Sequence, residues 1–290
     1  MIRKIPRDIL SSIRQKALAI FDRLGWVPSG KTSYLGHPFV YPLDSLIGRK
    51  VARGKQWDAN LAIIVPIMLP MDEPEICEVG SNIGASLLQI MKVKPGAHVL
   101  AFEPSHRFLP FLKRNLQLAN SDRVELFPVL VGRSKGTVQL YNNASSASVG
   151  HERPELQSRR KQAVRMTTLD EMYRQRPRVD FIKVDTDGFD LEVLRGAEET
   201  LKRDAPVVYF ELFPALVSAS APEADLSWLQ SIGYARFVCF SPPGKLLGVT
   251  DQVEQAISWA NMDDYCDILA CRAGSSSETR IEELVGLFSV

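Results

Sequence analysis

With 290 residues the chain can hold one large domain or two small ones, and 45% hydrophobic with 24% charged residues is the composition of a well-cored globular protein. Thirty-five basic against 34 acidic residues leave a formal charge of +1, which excludes a global field that would gather nucleic acid or an anionic membrane. The four cysteines, Cys77, Cys239, Cys266 and Cys271, form no CxxC pair and sit in or beside apolar stretches. They read as buried thiols in a reducing compartment, which disfavours a zinc site and gives a cytoplasmic expectation.

Along residues 1–27, Ile5, Ile9, Ile13, Ala17, Ile20 and Leu24 recur every three or four positions among Arg3, Lys4, Arg7, Arg14, Lys16 and Arg23. That spacing predicts one apolar helical stripe, neither a signal peptide nor a membrane span. It is expected to dock on the main domain; the alternative is a basic amphipathic helix resting on the inner membrane face. A loop rich in Gly, Pro and aromatics (26–42) and a helical stretch near 60–69 follow. From residue 72 the rhythm changes. Apolar runs at 75–79, 98–102, 124–131, 179–184, 207–212, 235–240 and 267–271 alternate with helical segments at 85–93, 106–119, 191–203 and 224–232. Continuous apolar strands separated by helices predict an α/β protein with a doubly wound, mostly parallel sheet covered on both faces. One interruption stands out. After a strand at 137–141, the segment 142–162 holds Ser145, Ser146, Ser148, Gly150 and a basic cluster at Arg159–Lys161, with little to enter a core. It reads as a surface loop or as a cover over a substrate site.

The chemistry concentrates where strands end. The first strand runs into Glu78-Val79-Gly80-Ser81-Asn82-Ile83-Gly84. Two glycines there allow a tight turn and close approach of a ligand to the backbone, and the following helix presents unpaired N–H groups. A dinucleotide fingerprint would place its second glycine at Asn82, so a ligand without a pyrophosphate suits the turn better. The second strand ends in Glu103-Pro104, a carboxylate placed to accept both hydroxyls of a ribose. The fourth run ends in Asp185-Thr186-Asp187-Gly188-Phe189-Asp190, and the fifth carries Glu211 at its end. These acids suit a general base for a substrate hydroxyl, with a divalent metal as the less favoured use and helix capping as the plain structural one. Lys183, inside an apolar strand, must pair with an acid or reach the site, because an unpaired buried ammonium is too costly.

Taken in order, EVGSNIGASL, AFEPSHRFLPFLKRNL, the run into VGRSKGTVQLYNN, the TTLDEM helix start, IKVDTDGFDLEVLRGAEETL and PVVYFEL resemble the FkbM-type S-adenosylmethionine-dependent methyltransferases. The upstream YPLDSLIGRKVARGKQWD is similar to that family's lead-in. The resemblance implies a Rossmann-like class I methyltransferase fold with a seven-stranded sheet and an antiparallel last strand. Together with the change of rhythm at residue 72, the resemblance divides the chain into a helical and loop extension (1–71), an S-adenosylmethionine-binding domain (72–275) and a tail (276–290). It implies O-methylation of a hydroxyl on a sugar, glycan or related natural product. Glu78, Gly80, Ser81, Asn82 and Gly84 would hold the methionine part, Glu103 the ribose, and Ser105 would flank the adenosine. Asp185, Asp187 and Glu211 would face the acceptor, whose pocket Trp57 and Asp58 are expected to help shape; His151 is a lesser candidate base. Asp187 and Asp190 stand where the family usually has glutamate, and Glu78 where it usually has aspartate. The expected partners are a small-molecule or glycan acceptor and no nucleic acid, with a homodimer and a peripheral membrane contact through the N-terminal helix as open readings. Two rivals share the sheet, an NAD-dependent oxidoreductase and a non-catalytic nucleoside-binding module.

Overall fold

A computed structural model describes residues 27–142, 145–149, 160–215 and 221–288. The N-terminal stripe, His151 and most of the 142–162 segment lie outside the described residues. The strands, in chain order, are β1 (Ser29–Tyr34), β2 (His37–Pro42), β3 (Glu75–Val79), β4 (His98–Phe102), β5 (Val124–Phe127), β6 (Leu130–Val131), β7 (Gly136–Asn142), β8 (Ala147–Val149), β9 (Arg160–Thr167), β10 (Phe181–Val184), β11 (Val207–Leu212), β12 (Arg236–Phe240), β13 (Leu246–Thr250) and β14 (Cys266–Cys271).

The central sheet runs β13-β12-β14-β11-β10-β3-β4-β5. Strands β5, β4, β3, β10 and β11 are mutually parallel, and β14 lies antiparallel between β11 and β12. This is the Rossmann-like class I methyltransferase sheet with an antiparallel strand inserted near one edge. Side chains alternate between two cores with the period of two that a pleated strand imposes. Ile76, Val99 and Ala101 enter one core with helices Leu61–Met68, Ala85–Val93, Leu109–Leu118 and Ile281–Phe288. Cys77, Val79, Leu100 and Phe102 enter the other, with helices Leu169–Tyr173, Asp190–Arg195, Glu198–Asp204, Pro222–Ser231 and Val253–Met262. All four cysteines are free and buried, as expected.

The structure departs from the sequence reading in five places. The sheet has eight strands rather than seven, because β13 folds back on β12 as an extra edge hairpin. The stretch 26–42, expected as a loop, contains the β1–β2 hairpin, closed by Leu35 and Gly36, both at positive φ. The run 124–131 splits at Pro128, and β6 joins β7, β8 and β9 in a second, four-stranded sheet ordered β6-β9-β7-β8. The described ends of 142–162 are therefore strands rather than loop. The segment 276–290, expected as a tail, carries helix Ile281–Phe288, whose Ile281 and Leu284 are buried against helix Leu61–Met68. Among the described residues no helix is long and apolar enough to cross a membrane.

Two polar contacts, one through the buried Asn115 and one through a half-buried ion pair, fasten the lead-in to the site. Asn115 donates through Nδ2 to Val40 O (2.9 Å) and Ile83 O (2.8 Å), while its Oδ1 accepts from Val40 N (2.8 Å). It thereby joins the hairpin to the turn after β3. Arg107 Nη2 donates to both oxygens of Asp44 at 2.7 and 2.6 Å.

Candidate active site

The strand order reverses between β3 and β10, and in open α/β sheets ligands bind beyond the carboxyl ends of the strands at that switch. A cleft of about 480 Å³, part of it open to solvent, occupies this position. Val79, Gly80, Asn82, Phe102, Glu103 and Pro104 form one wall, and Asp185, Thr186, Asp187 and Phe189 the other. Val129, Leu130 and Val131, with Ala147 and Val149 of the small sheet, supply an apolar flank.

Gly80 has φ of 89°, and a Cβ there would fall 1.9 Å from Asp185 O. The bare backbone lets β3 and β10 meet at the base of the cleft. The N–H groups of Gly80 and Ser81 donate to Phe102 O at 3.0 and 3.1 Å, fixing the turn to β4. Asn82, at φ of 49°, donates its backbone N–H to Glu103 Oε2 at 2.7 Å. Ser105 N donates to Glu103 Oε1 at 2.8 Å. Glu103 is 4% exposed, and burial pushes its pKa up to about 8 against the pull of those two N–H donors. In its charged form each carboxylate oxygen can accept a second hydrogen bond, so deprotonated Glu103 has acceptor capacity for a diol. Asn82 Oδ1 is buried with no hydrogen-bond partner among the described residues, a site that calls for a donor on a bound molecule. This lining fits a nucleoside ligand.

The remaining members of the expected cofactor set stand behind the wall. Glu78 is fully buried, accepts from Ser86 Oγ at 2.7 Å and has its pKa raised, chiefly by burial. Ser81 and Gly84 shape the turn without lining the cleft, and Ser105 Oγ donates to Asn142 Oδ1, tying the β4 end to β7. The apolar flank from β6 and β8 and the ring of Phe189 were missed by sequence reasoning. The available signal was that Val129–Val131 lie just past β5 and Phe189 in the turn after β10, both on the ligand edge.

On the other wall the acids divide into distinct roles. Asp185 follows β10 and keeps its side chain 34% exposed, with Oδ2 accepting from Lys183 Nζ at 3.0 Å. Lys183 is 1% exposed and also lies 3.3 Å from Asp58 Oδ2. Burial works against its charge, but Asp185, Asp58 and Glu78 more than offset that and hold its pKa well above the ordinary value. Lys183 therefore pairs with acids, one of the two outcomes its sequence position allowed. Asp187 (φ 53°) lines the cleft beside Asp185. Asp190 is a buried staple: Oδ2 accepts from Thr186 N (3.1 Å) and Thr186 Oγ1 (2.7 Å), and Oδ1 accepts from Glu211 N (3.1 Å). Glu211 pairs across the sheet with Asp267 and does not line the cleft. Burial, followed by the charges of Asp185, Asp190, Asp267 and Asp187, pushes its pKa up to about 11. At neutral pH it is an acid able to donate a hydrogen bond, not a base. Among the described residues no group of three or more His, Cys, Asp or Glu side chains is arranged to hold a metal ion.

The model of the methyltransferase FkbM domain matches residues 78–235. "Methyltransferase 1" of Beauveria bassiana (strain ARSEF 2860) is 28% identical over 149 residues, which cover 44% of this chain and 60% of that protein. "Methyltransferase sdnD" of Sordaria araneosa is 29% identical over 158 residues, covering 43% of this chain and 61% of its own. The chain thus spans about 60% of the length of these curated relatives. The crystal structure of methyltransferase FkbM from Methylobacillus flagellatus KT is similar at a TM-score of 0.47 and 17% identity, over 74% of this chain and 48% of that one. With its family model matched over more than half of the chain, from Glu78 on β3 to the residue before β12, the chain belongs to the methyltransferase FkbM domain family.

Proposed function

We propose that this protein is an S-adenosylmethionine-dependent O-methyltransferase whose acceptor is a hydroxyl of a sugar, glycan or related natural product. The observation that carries the reading is one continuous cleft joining Gly80, Asn82 and Glu103 to Asp185. Gly80 and Asn82 would hold the methionine part, Glu103 would accept from the ribose hydroxyls, and the flank from Val129 to Val131 would cover the adenine. When bound, S-adenosylmethionine supplies a methyl group activated on sulfonium sulfur. The protein's part is to align the acceptor oxygen with that carbon and to receive the hydroxyl proton. Alignment lowers the barrier by prepaying orientational entropy. Asp185 is the best placed proton acceptor, since it lines the cleft and its Oδ2 is already oriented by Lys183. Asp187 stands beside it on the same wall, whereas Glu211, away from the cleft and neutral at physiological pH, is not assigned the proton.

The test is incubation with methyl-labelled S-adenosylmethionine and separate glycan, lipid-linked sugar and polyketide fractions. Label should appear in a sugar or polyol fraction as an ether, identified by NMR of the product. Label on nitrogen or carbon, or tight binding of the donor with no transfer to any fraction, would refute O-methylation.

A further inference from the structure

We infer that Lys183 is a positioning residue that holds two carboxylates from separate segments, Asp185 after β10 and Asp58 of the lead-in, on one ammonium at the acceptor side of the cleft. The inference rests on the methyl-transfer reading above and extends it to a residue outside the matched family stretch of 78–235.

All four residues of β10 are buried, and the other three are Phe181, Ile182 and Val184. A lysine at such a place is an expensive choice, since a buried ion pair is often no more stabilising than apolar residues of the same volume. In register, Lys183 lies between Glu78 on β3 and Tyr209 on β11. Its ammonium has three donors. Asp185 Oδ2 lies 3.0 Å away, Asp58 Oδ2 lies 3.3 Å away, and Glu78 adds its negative field from the neighbouring strand. With Oδ2 of Asp185 committed to the lysine, Oδ1 is the oxygen left for an acceptor hydroxyl. Asp58 arrives in a conformation that a residue with a Cβ resists, at φ of 49°, directly before helix Leu61–Met68, with its carbonyl accepting from Leu61 N at 3.0 Å. Burial pushes its carboxyl up to about 6, so its pairing with Lys183 is what favours the charged form. Next to it, Asn60 Nδ2 donates to Tyr209 Oη at 2.6 Å, fixing the same turn onto β11. The lead-in is thus built into the site through side chains of two adjacent strands. The bridge sets the direction of the Asp185 carboxylate, and alignment of that kind is sensitive to displacements of about 1 Å.

The test uses the full chain with Lys183→Met, Lys183→Arg and Asp58→Asn. Three quantities are read: the thermal melt, the S-adenosylmethionine Kd by calorimetry, and kcat of label transfer to the fraction that the wild type methylates. Lys183→Met should lose about a hundredfold in kcat while the Kd stays close to wild type, the split expected when only reaction geometry is lost. Lys183→Arg should recover part of that loss, and Asp58→Asn should lose about tenfold in kcat. An unchanged kcat in Lys183→Met, or a loss matched by weakened donor binding, overturns the inference. If Lys183→Met does not fold, Asp58→Asn decides, and full activity there overturns it equally. A wild-type protein that transfers no label defeats the methyl-transfer reading itself; an active wild type with an equally active Lys183→Met variant defeats only the positioning role.

Discussion

Gly80 and Gly36 both sit near φ of 90°, but only one of them is crowded. A Cβ at Gly36 meets nothing within 4 Å, whereas at Gly80 it falls 1.9 Å from a backbone oxygen that cannot step aside. Gly36→Ala should therefore cost only the backbone strain, about 1–2 kcal/mol. Gly80→Ala should cost at least about 2 kcal/mol more and abolish donor binding. Equal losses in urea denaturation would show that the β3–β10 contact yields easily. Glu103 makes a second claim testable. Its raised pKa means the folded protein holds a proton that the unfolded chain releases, and the same sign applies to Asp58 and Asp190, each pushed up to about 6. The stability these groups contribute is fully present below the ordinary carboxylate range and is lost as pH rises through 6 and then 8. The ligand-free melting temperature should fall between pH 5 and 8.5, and Glu103→Gln should make that fall shallower, leaving the slope that Glu211, pushed up to about 11, carries through the same range. An identical slope in that variant would place the proton elsewhere.

Within the turn after β10, Asp190 does the holding. It accepts two backbone N–H groups and one hydroxyl, so the Asp185–Asp187 segment is fastened to β11 through Glu211 N. Asp190→Ala leaves these buried donors without an acceptor, and a loss of about 3 kcal/mol in urea denaturation is expected. Asp190→Asn, which keeps one carbonyl oxygen, should lose less. A loss below about 1 kcal/mol for the alanine variant would mean the turn is held by its glycine and packing alone. The sequence announced this turn as a strand end rich in acids but not the division of labour among them, because which acid faces inward depends on strands distant in the chain. Elements were legible where local pattern and tertiary environment agree. β3, β4 and β11 emerge with their full limits because uninterrupted apolar runs are what a strand buried on both faces requires. The β1–β2 hairpin was hidden because Leu35, a residue that rarely takes positive φ, occupies the first turn position where Asn or Gly would signal it. β13 was hidden because all five of its residues are only half-buried, leaving no apolar run to mark an edge strand.

At the scale of the molecule, the ligand site is a property of strand order. The chain lays β3, β4 and β5 outward in one direction, returns through the small sheet, and lays β10 and β11 outward in the other, which leaves a crevice beyond the ends of β3 and β10. Glycine turn, strand-end acids and alternating elements made that crevice legible in the sequence. The small sheet that flanks it was not, because β8 has only three residues and β6 only two. A dinucleotide would use the same crevice, and the two ligands part at Asn82. There the side chain stands where a pyrophosphate needs bare backbone, and its buried Oδ1 asks for a donor that a phosphate does not carry. A ligand that binds only the folded state stabilises it by about 2.7 kcal/mol at a hundred times its Kd. For a chain of this size that corresponds to a rise in melting temperature of roughly 5–10 °C. S-adenosylmethionine and S-adenosylhomocysteine should each produce such a rise, and NAD should produce none at the same concentration. Asn82→Gly should narrow that difference by opening the backbone to a phosphate. A shift with NAD and none with either adenosyl compound would assign the crevice to a dinucleotide.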